Sequence, residues 1–180
     1  MQIKVSSRTA NLDYLLRDAN DRAQIKFSNL GAAMRNGMSL EQVGRNWIAG
    51  WNSRDSEAFS RLYAPDGEYV DPSFGIRRKG RDFVRMHHEL WWKAIPDFVM
   101  KERHIRVADR SVVVEITAEG TFSGGDLGGN KMKATQKAFR GWTIAVLELN
   151  EVGEIVVCTE YYDRSIVPGG EQPPFGELRL

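Results

Sequence analysis

Between positions 111 and 122 the side chains alternate cleanly, with Val112, Val114, Ile116 and Ala118 in one set and Val113, Glu115, Thr117 and Glu119 in the other. A period of two is a strand signature, and it puts successive residues on opposite faces of a sheet. Neighbouring stretches read the same way. A strand over 98–107 precedes it across Ala108-Asp109-Arg110. A glycine-rich loop over 123–130 follows, then a long strand from about 132 to 149. The turn Asn150-Glu151-Val152-Gly153 leads into a last strand over 154–163. Four strands in succession make an antiparallel meander, and such a sheet needs something to cover its apolar face.

The preceding residues supply that cover. Ser39-Leu40-Glu41-Gln42 is a capping-box pattern, so a helix starts there. Val43, Trp47, Ile48 and Trp51 continue its apolar stripe until Asn52-Ser53-Arg54-Asp55 breaks it. A second helix is predicted over 57–63, carrying Ala58, Phe59 and Leu62. Ala64-Pro65-Asp66-Gly67 reads as a turn, residues 68–71 as a short strand, and 76–81 as a basic loop. A third helix over 82–94 is ended by Pro96. The class is therefore α+β: a cone-shaped, curved antiparallel sheet wrapped around about three helices. Its open mouth suits a small-molecule pocket. The predicted domains are an N-terminal helical extension over 1–38, the cone over 39–166 and an irregular C-terminal tail over 167–180. In the extension, Leu12, Leu15, Leu16 and Ala19 have helical spacing.

Charge and composition narrow the function classes. A net charge of +1 over 180 residues leaves no global electrostatic footprint for nucleic acid or an anionic membrane. Even the longest apolar runs, such as Ile144-Ala145-Val146-Leu147, are far below the length of a bilayer span. The N-terminal residues contain no apolar run of leader length, and the expectation is a cytoplasmic protein. The single cysteine, Cys158, has no partner for a disulfide, and three separated histidines lack metal-ligand spacing. No lysine–serine or lysine–threonine pair follows the glycines at 124–129, so they do not form a phosphate-binding loop. No metal is expected.

Several motifs occur in a definite order: Trp47-Ile48-Ala49-Gly50-Trp51-Asn52-Ser53-Arg54-Asp55, Leu62-Tyr63-Ala64-Pro65-Asp66-Gly67, Tyr69-Val70-Asp71-Pro72, Lys79-Gly80-Arg81-Asp82, Ala94-Ile95-Pro96-Asp97-Phe98, Val152-Gly153-Glu154-Ile155 and Tyr161-Tyr162-Asp163. Over residues of about 40 to 166 the chain resembles the SnoaL-like polyketide cyclases of the nuclear transport factor two-like superfamily, which also holds the ketosteroid isomerases. The resemblance implies a cone with a deep hydrophobic pocket, a homodimer and chemistry without a cofactor. It also admits members that only bind a ligand or dimerise. Asp71 matches the proton-transfer base of the isomerases, and Asp163 matches the late acid/base of the cyclases. Trp47 stands where the isomerases place a tyrosine donor, and Trp142 stands near their second donor.

The residues carry their own reading. Strand parity puts Tyr69 and Asp71 on one face, and puts Thr159, Tyr161 and Asp163 on a face opposite Cys158, Glu160 and Tyr162. A carboxylate inside an apolar cone has its charged form disfavoured, which tunes it for proton transfer. Asp71 is also explained as a turn cap before Pro72, and Asp163 as a strand-end carboxylate in solvent or one paired with Arg164. On the third helix, Phe83, His87, Leu90 and Ala94 share a stripe, making His87 the inward imidazole, or alternatively a core histidine. His104 reads as a sheet-surface residue with a pocket role open. Trp47, Trp51, Trp91 and Trp142 are core or a flat aromatic lining. Arg77-Arg78-Lys79, Arg81 and Arg85 are a solvated cluster or a carboxylate trap. The candidate catalytic set is Asp163, Asp71 and His87. The candidate substrate contacts are Trp47, Trp51, Tyr69, Trp91, His104, Trp142 and Tyr161. The predicted partner is a small hydrophobic, carbonyl-bearing molecule.

Overall fold

A computed structural model of the chain describes residues 38–127 and 132–162. The stripe around Leu12, the carboxylate of Asp163 and the C-terminal tail lie outside the described residues.

Helix α1, Leu40–Asn52, begins where the Gln42 N–H donates to the Ser39 hydroxyl at 3.2 Å, as the capping pattern requires. It buries Leu40, Val43, Gly44, Trp47, Ile48 and Trp51. Gly44 has its place for packing reasons: a Cβ there would meet Val112, Ile105 and Val114 at 3.1–3.2 Å. Asn52 ends the helix and clamps the sheet. Its side-chain amide donates to the Met100 carbonyl and its side-chain oxygen accepts from the Met100 N–H, both at 2.8 Å. A short helix α2, Ser56–Ser60, is capped by Asp55, which accepts from the Ala58 N–H at 2.8 Å.

Strand β1, Tyr63–Asp71, starts earlier than its sequence suggests. Ala64-Pro65-Asp66-Gly67 does not end in a free turn; it makes an irregularity within the strand, across which the register with the last strand shifts. Residues 76–81, read from sequence as a basic loop, contain strand β2, Ile76–Lys79, paired antiparallel to β1. The reversal at 72–75 closes on Gly75 at φ +64°, and β2 then covers what would otherwise be a bare edge.

Helix α3, Arg81–Ala94, buries Val84, His87, His88 and Ala94. Its inward stripe is therefore rotated from the predicted one: Phe83 and Leu90 face solvent, while His88 is wholly buried. The meander follows as β3, Val99–Ala108; β4, Ser111–Thr121; β5, Ala138–Leu149; and β6, Ile155–Tyr162. β5 starts six residues later than the predicted 132, because Gln136 at φ 60° cannot continue an extended chain. The sheet order is β2-β1-β6-β5-β4-β3. All neighbours are antiparallel except β1 and β6, which run parallel. The result is the curved cone expected, with six strands where the sequence pattern predicts five, its concave face on the helices and its core built from Trp47, Trp51, Phe59, Tyr63, Ile116, Phe122 and Leu147.

Candidate functional site

A narrow aromatic cavity, open at its mouth, lies between the helices and the concave sheet. Trp51 of α1, Trp91 of α3, Phe98 beside β3, Phe139 of β5, Tyr69 of β1 and Tyr162 of β6 form its walls. Thr143 and Glu160 bring polar atoms to it.

Glu160 is the unusual group. On β6 it stands opposite Ala145 of β5, in the same inward set as Cys158, and only 3% of it is exposed. Its carboxylate accepts a hydrogen bond from the Tyr69 hydroxyl. Burial is the main cause that pushes its pKa up to about 8; Tyr69 opposes the shift and the nearby Asp71 charge adds to it. Glu160 therefore carries a proton through much of the neutral range and can lose it just above. Burial likewise pushes the Tyr69 hydroxyl well up, helped by Glu160.

Asp71 is buried to 2% exposure and shares the inward face of β1 with Tyr69, as parity required. It accepts from the Tyr162 hydroxyl at 2.6 Å and from the Phe74 N–H at 3.2 Å. Its proline-terminated turn and its inward position are thus both real: one oxygen caps the turn, the other holds a cavity tyrosine. Two carboxylate–tyrosine pairs, Glu160–Tyr69 and Asp71–Tyr162, cross between the parallel strands β1 and β6.

The two adjacent histidines have different surroundings. His88 is fully partnered: Nδ1 lies 2.7 Å from the Ser56 hydroxyl, and Nε2 is near the Gly50 carbonyl (3.2 Å) and the Trp92 indole N–H (3.2 Å). Burial lowers its pKa to about 4. His87 lies against the Tyr69 ring with centroids 4.3 Å apart, and its buried Nε2 meets no hydrogen-bond partner among the described residues. Burial first, and then Arg78, lowers its pKa to about 3, so it is a neutral imidazole. Arg78 alternates inward on β2, while Arg77 and Lys79 pair outward with Glu68 at 3.4 and 3.3 Å. Arg81 and Arg85 are also engaged: Arg81 with Glu154 at 2.9 Å, Arg85 with Glu57, Asp82 and Glu89. Burial pushes the Cys158 thiol well up, away from reactivity.

Of the residues singled out from sequence, Trp51, Tyr69 and Trp91 line the cavity, and Asp71 and His87 adjoin its tyrosines. Trp47 packs in the core behind Trp51, its indole N–H donating to the Tyr63 hydroxyl at 3.2 Å. His104, Trp142 and Tyr161 are exposed on strands whose alternate residues face inward. Asp163 lies outside the described residues; Tyr161, which shares its parity, is 52% exposed. Sequence reasoning missed Glu160 and Tyr162 because either side of the last strand reads as apolar. The parity shared with Cys158, a residue type most often buried, was the available signal.

Residues 45–158 match the family model described as SnoaL-like domain, and the chain belongs to that family. The fold also matches solved structures. One is a hypothetical protein with a ketosteroid isomerase-like fold from Catenulispora acidiphila DSM 44928, in complex with trimethylamine: 21% identity, covering 73% of this chain and 94% of that one, TM-score 0.61. A second is described as a SnoaL-like polyketide cyclase from Jannaschia sp. CCS1: 16% identity, 72% and 89% covered, TM-score 0.60. A third is SalBIII, an epoxide hydrolase/cyclase-like enzyme of pyran-ring formation in the polyether salinomycin: 17% identity, 71% and 92% covered, TM-score 0.58. No match was found among curated proteins. Among the described residues no helix is long and apolar enough to cross a membrane, and no group of three or more ligating side chains could hold a metal ion.

Proposed function

We propose that the chain is a small enzyme that moves a proton beside a carbonyl of a hydrophobic ring compound, without a cofactor. The enolate so formed would then cyclise, isomerise or eliminate. The observation that carries this reading is a carboxyl group, Glu160, on the wall of an aromatic cavity with a pKa raised to about 8. A group poised near the working pH is the efficient kind for general acid–base chemistry.

In the proposed step the ionised fraction of Glu160 takes the α-proton. The C–H electron pair becomes the new C=C bond, and the carbonyl π electrons move to oxygen. The same carboxylic acid then returns the proton at another carbon or at oxygen. Tyr69 holds the carboxyl in place through its hydrogen bond. Asp71 orients Tyr162 and its charge favours the protonated form of Glu160. The base role that the resemblance assigns to Asp71 or Asp163 thus passes to Glu160, with Asp71 as its electrostatic partner. His87 is a neutral imidazole beside Tyr69.

The test is hydrogen–deuterium exchange at C2 of 1-tetralone in D₂O, followed by NMR. Wild-type protein accelerates exchange, with a rate that rises with pH up to about 8 as Glu160 ionises. A Glu160→Gln variant that exchanges as fast as wild type, or a wild type with no acceleration, would leave a ligand-binding module in place of an enzyme.

The proposed assembly is a homodimer through the convex sheet face. Trp142, Ile144 and Tyr161 are exposed there, and Ile144 and Tyr161 are cross-strand neighbours. Light scattering of wild type against Trp142→Ser checks it: a dimer becoming a monomer is expected, and a wild-type monomer at micromolar concentration would refute it.

A further inference from the structure

The tryptophans fall into two groups when their hydrogen bonds are followed. The indole N–H of Trp47 donates to the Tyr63 hydroxyl, and that of Trp92 to the Trp51 carbonyl at 3.1 Å. The indole N–H groups of Trp51 and Trp91 are buried and meet no acceptor among the described residues. A buried donor without a partner loses its hydration and regains nothing, so native interiors hold few of them. Here two such donors belong to rings of the same cavity wall. Their centroids are 6.3 Å apart at 74°, and both rings edge Phe98, at 5.8 and 5.5 Å. The neighbouring indoles found acceptors within the fold, which makes the pair on the cavity stand out.

We propose that Trp51 and Trp91 are the hydrogen-bond donors for the ligand's oxygen, so that the cavity selects a ring ketone over the bare hydrocarbon and over an alkylammonium ion. This rests on the proton-transfer reading of the same cavity and adds the missing partner of that chemistry. When Glu160 removes an α-proton, negative charge grows on the carbonyl oxygen, and N–H donors fixed in a water-poor site stabilise that charge most. The aromatic walls supply flat surface for the ring. An aromatic cage with a carboxyl group could also attract a cation through the ring faces. A cation has no acceptor, however, and would leave both indole donors unmade.

Each tryptophan gives one indole N–H signal in a ¹⁵N–¹H correlation spectrum, so the five act as internal controls for one another. The full chain is titrated with 1-tetralone, with the hydrocarbon tetralin, and with tetramethylammonium. The ketone should move the Trp51 and Trp91 signals downfield and leave those of Trp47 and Trp92 nearly in place. Tetralin should bind roughly 10-fold more weakly, the scale of one or two hydrogen bonds, without the downfield shift. Replacing either ring by its isosteric benzothienylalanine, which lacks the N–H, should erase the preference for the ketone without loss of stability, because no protein acceptor is abandoned. Equal responses to ketone and hydrocarbon, no ketone binding at millimolar concentration, or tighter binding of tetramethylammonium would each overturn the proposal. Failure of the proton-transfer reading looks different: Glu160→Gln and wild type would then exchange alike while the indole shifts persist.

Discussion

Glu119 and Glu160 sit on one sheet and titrate in opposite directions. Glu119, on β4, reaches Lys101 and Arg140 on the convex side, and the hydrogen bond from Lys101 is the main cause that lowers its pKa. Glu160, two strands away, faces the aromatic cavity, and burial raises its pKa to about 8. The residue type is the same; the difference is what faces it. Water and cations on the convex side stabilise a charge, while burial among rings on the concave side opposes one and outweighs the hydrogen bond from Tyr69. The convex face thus carries charge at neutral pH, and the concave face holds a proton it can release. A similar contrast separates Trp142, 68% exposed under the Arg103 guanidinium at 3.9 Å, from Trp47, wholly buried.

The tryptophan contrast gives the largest expected effect. Trp47→Ala should destabilise the protein by about 3–5 kcal/mol, from lost burial and the cavity left behind. Trp142→Ala should change protomer stability by no more than about 0.5 kcal/mol. Urea unfolding at low protein concentration measures both. Similar losses at the two positions would mean that the faces are not the distinct environments described.

Next comes the glutamate pair in the 1-tetralone exchange assay. Glu160→Gln should lower the protein-catalysed rate by about 100-fold or more, the scale of a lost general base. Glu119→Gln should leave it unchanged.

A smaller effect should appear in stability against pH. Glu160 binds its proton more tightly folded, at about 8, than at its ordinary 4.5, so it makes stability fall as pH rises between those values. His87 and His88 bind theirs less tightly folded, at about 3 and 4, than at the ordinary 6.5, so their contribution is lost as pH falls below 6.5. Two rising terms outweigh one falling term up to pH 6.5, and above it only Glu160 remains of these three. Stability should therefore peak near pH 6.5 and decline toward 8 with a slope of at most about 1.4 kcal/mol per pH unit. In Glu160→Gln that decline should flatten, which thermal unfolding across the range would record.

The sequence revealed the architecture well because the architecture depends on short-range signals. The capping serine, the alternation on β4 and the hairpin turn at 150–153 are all local. β2 was hidden because its pairing with β1 is tertiary and its residues, Ile76-Arg77-Arg78-Lys79, look like a solvated loop. The site was partly readable. Tyr69 and Asp71 follow from parity on a strand with one apolar set, but on β6 both sets hold apolar and aromatic residues, so parity alone could not choose the inward face. On α3 the histidine pair straddles the apolar stripe, and a rotation of one position buried His88 as well as His87. The perturbation of Glu160 comes first from its burial in the assembled cavity and then from Asp71 on another strand, and no local pattern carries that information.

Everything proposed for the cavity depends on Glu160 holding its proton near neutrality. A ¹³C NMR titration of its side-chain carboxyl, assigned by comparison with Glu160→Gln, tests it directly. A midpoint near 8, with Glu119 shifted the other way, below its ordinary 4.5, is the predicted result. A Glu160 midpoint at or below 4.5 would contradict the account, because the carboxyl would then be an ordinary solvated anion in the place assigned to the proton carrier.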